Sequence, residues 1–185
     1  MKKYIPEFIV VIIAIAIATT FHAKPEIFGS KMQGKSSLST AQNTPVLEIG
    51  EKVPPFGLIN TEGKRVVFNE ETGPLMIILT ATGCQGCIQR IDKDDVSAYE
   101  MAQKAQFKVW NQLVYLSPER SEDFAKKYQP SADEVMADPQ AKISVKTLGG
   151  SDSTCWLLID AEGHLAYRGP ADLSKLEMAF NDLAE

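Results

Sequence analysis

The chain reads as an α/β sandwich, and three features of its later part predict it. Strand patterns and helix patterns are interleaved rather than segregated, in the order ββ, βα, βα, ββα. One strand pattern, "PLMIILTA" at 74–81, is a continuous apolar run bounded by Gly73-Pro74 and Gly83, as expected of a strand buried on both faces. No repeat with a period of 20–50 residues is visible, which argues against a solenoid.

The elements follow in order. "LINTEGKRVVFNE" (58–70) is a hairpin candidate turning about Glu62-Gly63. After the buried strand a helix is expected from Cys84, with Ile88, Ile91, Tyr99 and Ala102 on one face and "DKDD" at 92–95 as a point of interruption. "VWNQLVYLS" (109–117) reads as a second strand, and Ser117-Pro118 starts a helix that should stop near Tyr128, before Pro130. Asp138-Pro139 signals a short helix ending near Gly149-Gly150. "CWLLID" (155–160) and "HLAYRG" (164–169) flank "AEG" as a hairpin, with Gly163 available for a positive φ. A final helix carries Leu173, Leu176, Phe180 and Leu183 at the 3.6 period. Alternation along 155–159 sets Cys155, Leu157 and Ile159 on one face and Trp156 and Leu158 on the other.

The first 45 residues differ in character. Lys2 and Lys3 precede "FIVVIIAIAIATTF" (8–21), fourteen residues without a charge, which reads as an export signal. Cleavage after Ala23 would put Phe21 at the −3 position, where a small residue is wanted, so 1–23 is expected to remain as a signal anchor. Residues 24–45, rich in Ser, Thr, Gly, Gln and Lys, read as a tether, leaving 46–185 as the folded domain. The lysines stay inside and the domain is expected on the extracytoplasmic side of the cytoplasmic membrane. From Val46 onward 14 Lys and Arg face 22 Asp and Glu, a net −8 with no basic patch, which excludes nucleic acid and acidic lipid as partners of the domain.

Chemistry concentrates in "LTATGCQGCIQR" (79–90), which holds two of the chain's three cysteines. Covalent haem attachment needs histidine after the second cysteine, and position 88 is Ile. Structural zinc needs four ligands, and the domain offers only Cys155 and His164 besides the pair. Cu(I) suits two thiolates and a third ligand, which would have to be His164. A purely structural disulfide gains little from so short a loop. Dithiol-disulfide exchange fits the strand-turn-helix context best: the first sulfur sits at a helix N-terminus, whose free N–H groups favour a thiolate. Cys84 is then the attacking sulfur, and Cys87, one turn on, resolves the mixed disulfide.

These segments together resemble the membrane-tethered thioredoxin-like thiol-disulfide oxidoreductases of the TlpA/ResA type. "LEIGEKVPPFGLINTEGKRVVFNE" is similar to that family's entrance hairpin and "GPLMIILTATGCQGC" to its central strand and active site. "SEDFAKKYQ", "ADPQAKISVKTLGG" and "CWLLIDAEGHLAYRG" are similar to its later elements. The resemblance implies a thioredoxin-like fold, a central mixed sheet flanked by helices, with an N-terminal β-hairpin extension. It implies Cys84 as nucleophile and Cys87 as resolving thiol, with no metal or organic cofactor. Exported protein thiols or disulfides would be substrates, a membrane protein the electron donor, and reduction, as in cytochrome c maturation, the usual direction.

Three departures bear on the site. Gly83 and Gly86 stand where the family usually has a large residue and often proline, which loosens the turn, and Gln85 and Gly86, between the cysteines, are expected to contact substrate or tune the pair. Arg90 replaces a Glu that assists proton transfer in many relatives. If it faces the sulfurs it favours thiolate and makes the protein more oxidising; otherwise it is a solvated surface residue. Thr154 aligns where a cis-proline is usual, and a trans peptide is expected there. Cys155, beside it, is either a small buried strand residue or a third thiol able to trap the pair. A peroxiredoxin is the other enzyme considered, although Ala81 and Met76 occupy places where that group has Thr or Ser and, further upstream, Pro.

Overall fold

A computed structural model describes residues 46–151 and 155–184. The expected anchor and tether, and Thr154, lie outside the described residues. Among the described residues no helix is long and apolar enough to cross a membrane.

The entrance hairpin is β1 (Phe56–Asn60) and β2 (Arg65–Phe68), followed by a 3-10 turn at Glu70–Thr72. Next come β3 (Leu75–Ala81), α1 (Gln85–Arg90), α2 (Asp94–Lys104), β4 (Lys108–Val114) and α3 (Pro118–Tyr128). The chain continues through β5 (Glu134–Asp138), a π-helical turn at Lys142–Thr147, β6 (Cys155–Ile159), β7 (Leu165–Pro170) and α4 (Leu173–Ala184). The strands form one sheet in the order β2-β1-β5-β4-β3-β6-β7. β3 and β5 both run parallel to β4, while β1 with β2, β1 with β5, β3 with β6 and β6 with β7 pair antiparallel.

β3 is buried at all seven positions, as its continuous apolar run requires, because each face carries its own core. On one face Leu75, Ile77 and Leu79 pack with Trp110, Met136, Leu157, Ile159 and the hairpin residues Phe56 and Phe68. On the other, Met76 and Ile78 pack with Ala98 and Ala102 of α2, Trp156, Leu158, and Leu176 and Phe180 of α4. From Trp156 to Ile159, β6 thus divides its side chains between the cores by alternation, as expected of those four residues.

Several expectations need correction. The segment 134–138 carries no strong sequence signal, yet it is strand β5, which joins the hairpin to β4. The short helix after Asp138-Pro139 is a π turn that starts later, at Lys142. Asp138 holds it, its carboxylate accepting from the backbone N–H groups of Lys142, Ile143 and Ser144 at 3.0, 3.1 and 2.8 Å and from Ser144 Oγ at 2.6 Å. β4 ends at Val114 rather than Ser117, because Tyr115 turns to φ 63°. Leu183, though on the apolar period of α4, is 38% exposed, lining an open surface groove with Ala166 and Tyr167 of β7. Gly163 does adopt the positive φ expected of it, 87°.

Candidate active site

The site begins where β3 runs out. Cys84 N–H donates to the Ala81 carbonyl at 3.1 Å, closing a tight turn, and Cys84 then becomes the N-cap of α1. Its extended backbone, φ −101° and ψ 110°, directs Sγ back over the helix start, where it accepts from Cys87 N–H at 3.2 Å. A backbone N–H aimed at sulfur is the local interaction that favours thiolate over thiol.

Cys84 and Cys87 are joined as a disulfide, with Cα atoms 5.2 Å apart. Their burial differs in the sense the exchange chemistry needs: Cys84 is half-buried, whereas Cys87 is 4% exposed. A partner sulfur can approach the first and not the second. Gln85 and Gly86, between them, are exposed. A Cβ at Gly83 or Gly86 would meet nothing within 4 Å, so neither glycine is imposed by crowding. Gly150 is different: a side chain there would collide with Leu79 Cδ1 and the Ser144 carbonyl, so the backbone at Gly150 lies directly on β3.

The helix expected from Cys84 is in fact two. α1 stops at Arg90, and Ile91–Lys93 turn the chain before α2 starts at Asp94. This break at "DKDD" was expected; its consequence for Arg90 was not. The arginine is neither a freely solvated surface residue nor hydrogen-bonded to a sulfur, its side chain being 25% exposed. Its Nη2 donates to Asp95 Oδ1 at 3.2 Å, its Nε faces Asp94 Oδ2 at 3.4 Å, and its guanidinium lies 5.7 Å from the centre of the Trp156 ring. Trp156 Nε1–H donates to the same Asp95 oxygen at 3.1 Å.

Asp95 is therefore a site residue that sequence reasoning missed. It is completely buried, and burial pushes its carboxyl above the ordinary range, with Arg90 and the Trp156 and Arg90 hydrogen bonds working in the opposite direction. The only sequence signal was spacing: Asp94 and Asp95 lie four and five residues after Arg90, but nothing marked which would be covered.

Cys155 opens β6, its backbone in register with Leu79 of β3 and Pro170 of β7. That brings the third cysteine to the same end of the sheet as the pair. His164 goes to the other end: β6 is antiparallel to β3, and Ile159, beyond which the hairpin turns, pairs with Leu75. Leu75 and Ala81 are six steps apart along the strand, about 20 Å at the usual rise. His164 instead lies beside Asp160, Nδ1 to Oδ2 at 3.5 Å, so a copper site built from the dithiol and His164 is ruled out by topology. Among the described residues no group of three or more His, Cys, Asp or Glu is placed to hold a metal.

No protein-family model and no curated protein sequence matches the chain. Solved structures do. A putative protein disulfide isomerase from Bacteroides thetaiotaomicron superposes with TM-score 0.59 at 25% identity, over 76% of this chain and 92% of that one. A putative thiol:disulfide interchange protein DsbE from Chlorobium tepidum gives 0.60 at 19% identity, over 75% and 99%. A peroxiredoxin-like protein from Aquifex aeolicus gives 0.56 at 14%, over 75% and 89%. The chain thus has the thioredoxin-like fold, a mixed sheet flanked by helices, and its structural neighbours are thiol-disulfide oxidoreductases of the thioredoxin and redoxin type.

Proposed function

We propose that this thioredoxin-fold chain is an extracytoplasmic thiol-disulfide oxidoreductase that reduces disulfides of exported proteins through Cys84 and Cys87. The observation that carries the reading is the unequal pair at the end of β3, a half-buried sulfur capped by a helix N–H and a buried partner one turn away.

In the reduced protein, Cys84 thiolate attacks one sulfur of a substrate disulfide. The substrate S–S bond breaks, its other sulfur leaves as thiolate and takes a proton, and Cys84 is held in a mixed disulfide. Cys87 then loses its proton and attacks Cys84 Sγ, releasing the second substrate thiol and forming the Cys84–Cys87 bond. Two electrons have passed to the substrate, and a membrane-borne dithiol donor restores the pair. The apolar run behind Lys2 and Lys3 supports placing the domain outside the cytoplasm, tethered by its N-terminus.

The test is reduction of a protein disulfide by the full-length chain under a thiol donor. Cys84→Ser should abolish turnover, and Cys87→Ser should accumulate a covalent mixed disulfide with substrate. Turnover that survives loss of Cys84 defeats the reading. A second reading, thiol peroxidase, is favoured by peroxiredoxin-type fold neighbours. Rapid peroxide consumption that requires Cys84 would establish it instead.

A further inference from the structure

Asp95 presents an energetic puzzle that dithiol exchange by Cys84 and Cys87 alone does not use. A fully buried carboxylate is costly unless its partners compensate it, and this one is only half compensated: Oδ1 accepts from both Arg90 and Trp156, whereas Oδ2 has no hydrogen-bond partner among the described residues. An apolar side chain in this core would avoid the cost.

The placement suggests a role. Asp95 belongs to α2, Arg90 to the end of α1, and Trp156 to β6, so one carboxylate oxygen ties three elements together. Trp156 is in register with Ile78 of β3, the strand whose end carries the dithiol. Arg90 follows Cys87 by one helical turn, about 5 Å along the axis. A long side chain rooted there can reach toward the sulfurs in another rotamer. In this structure the guanidinium is turned to Asp95 and the indole instead. Asp94 holds it less firmly, being 33% exposed and 3.4 Å from Nε without hydrogen-bond geometry, against 0% and 3.2 Å for Asp95.

We infer that Asp95 is a positioning residue for the redox pair: by holding the Arg90 guanidinium against Trp156, it keeps that cation from stabilising the Cys84 thiolate and so keeps the couple on the reducing side. This inference rests on the oxidoreductase reading and deepens it. The half-reaction at issue takes the Cys84–Cys87 disulfide plus two electrons and one proton to Cys84 thiolate and Cys87 thiol. A positive charge released near the product side favours that side, which makes the protein a stronger oxidant. The buried anion of Asp95 answers the cation of Arg90. Neutralising the first without the second leaves the Arg90 cation opposed only by the looser, partly exposed Asp94, and so freer to turn toward the dithiol.

The experiment equilibrates the full-length chain with reduced and oxidised glutathione, two glutathione thiols being oxidised to their disulfide for each protein disulfide reduced. Wild type, Asp95→Asn, Arg90→Gln and the double variant are compared. The thiolate of each reduced protein is followed by its ultraviolet absorbance against pH.

Asp95→Asn, which keeps the shape and removes the charge, should shift the equilibrium about tenfold toward the dithiol, equivalent to about 30 mV. It should also move the Cys84 thiolate titration to lower pH. Adding Arg90→Gln should cancel both effects. An Asp95→Asn protein that folds, exchanges with glutathione, and stays within about twofold of wild type in equilibrium overturns the inference, even if its unfolding midpoint has moved. Should Asp95→Asn fail to fold, Trp156→Phe removes the indole N–H from the clamp. A shift toward the dithiol then supports the inference, and an unmoved couple overturns it. A wild-type protein that does not exchange with glutathione at all defeats the oxidoreductase reading along with it.

Discussion

Asp95 connects the chemistry of single residues to stability through its proton. Its carboxyl holds its proton to higher pH in the folded chain than an ordinary aspartate does, because burial disfavours the anion more than Arg90 and Trp156 favour it. The folded state therefore binds this proton more tightly than the unfolded state. The destabilising effect of the buried charge is absent below the unfolded value, develops as pH rises through the window up to the raised folded value, and is complete above it. Exposed carboxylates such as Glu62, Glu70 and Asp172 are shifted the other way by their hydrogen bonds, so total stability is not the right readout. The difference between Asp95→Asn and wild type is. Denaturant unfolding across that window should show the variant gaining stability relative to wild type as pH rises, and a difference independent of pH would contradict this assignment of the proton.

At the scale of elements, the active-site turn is built more loosely than its neighbours. Gly86 occupies the second position of α1, with helical backbone and open space where a Cβ would go. A glycine in that position weakens the helix chiefly by the freedom it gives the unfolded chain. Gly86→Ala should accordingly stabilise the domain by about 0.4–1 kcal/mol, seen as a higher denaturant midpoint with unchanged slope. Destabilisation would mean that the segment between the cysteines needs a backbone freedom not evident in its geometry. The break between α1 and α2 has the opposite character. It is fixed by side chains, because Arg90, Asp94 and Asp95 bridge it and Trp156 receives it from the sheet.

Across the whole molecule, the entrance hairpin is held to the sheet by aromatic packing as well as by the β1–β5 ladder. Phe56 and Phe68 stack with ring centres 5.2 Å apart, and both meet Trp110 of β4 edge-on, at 6.1 and 6.4 Å. The first core therefore runs from the hairpin through the sheet to Leu157 and Ile159, two strands beyond β4. Phe68→Ala should cost about 3–5 kcal/mol in unfolding free energy, as truncation of a fully buried phenylalanine does. It should act on the transition as a whole, since β1 pairs with β5 inside the same sheet. A separate early transition confined to the hairpin would instead show that the extension folds independently.

Local sequence determined a good deal: the buried central strand, a helix break overlapping "DKDD" at its first two residues, the α3 boundaries at Pro118 and Tyr128, the hairpins turning at Gly63 and Gly163, and the unequal cysteines of the active-site turn. Each follows from interactions within a few residues, such as strand alternation, a proline at a helix start, or a helix N–H beside sulfur. Tertiary structure alone decided the rest. β5 becomes a strand because β1 and β4 offer ladders on both sides of a five-residue segment with little preference of its own. His164 is carried to the far end of the sheet by the antiparallel course of β6. Arg90 was legible as a charge near the dithiol, but where that charge points depends on Asp95 and on an indole 66 residues downstream. Burial and long-range pairing are properties of the assembled chain, and the charge balance beneath the active site is set by both.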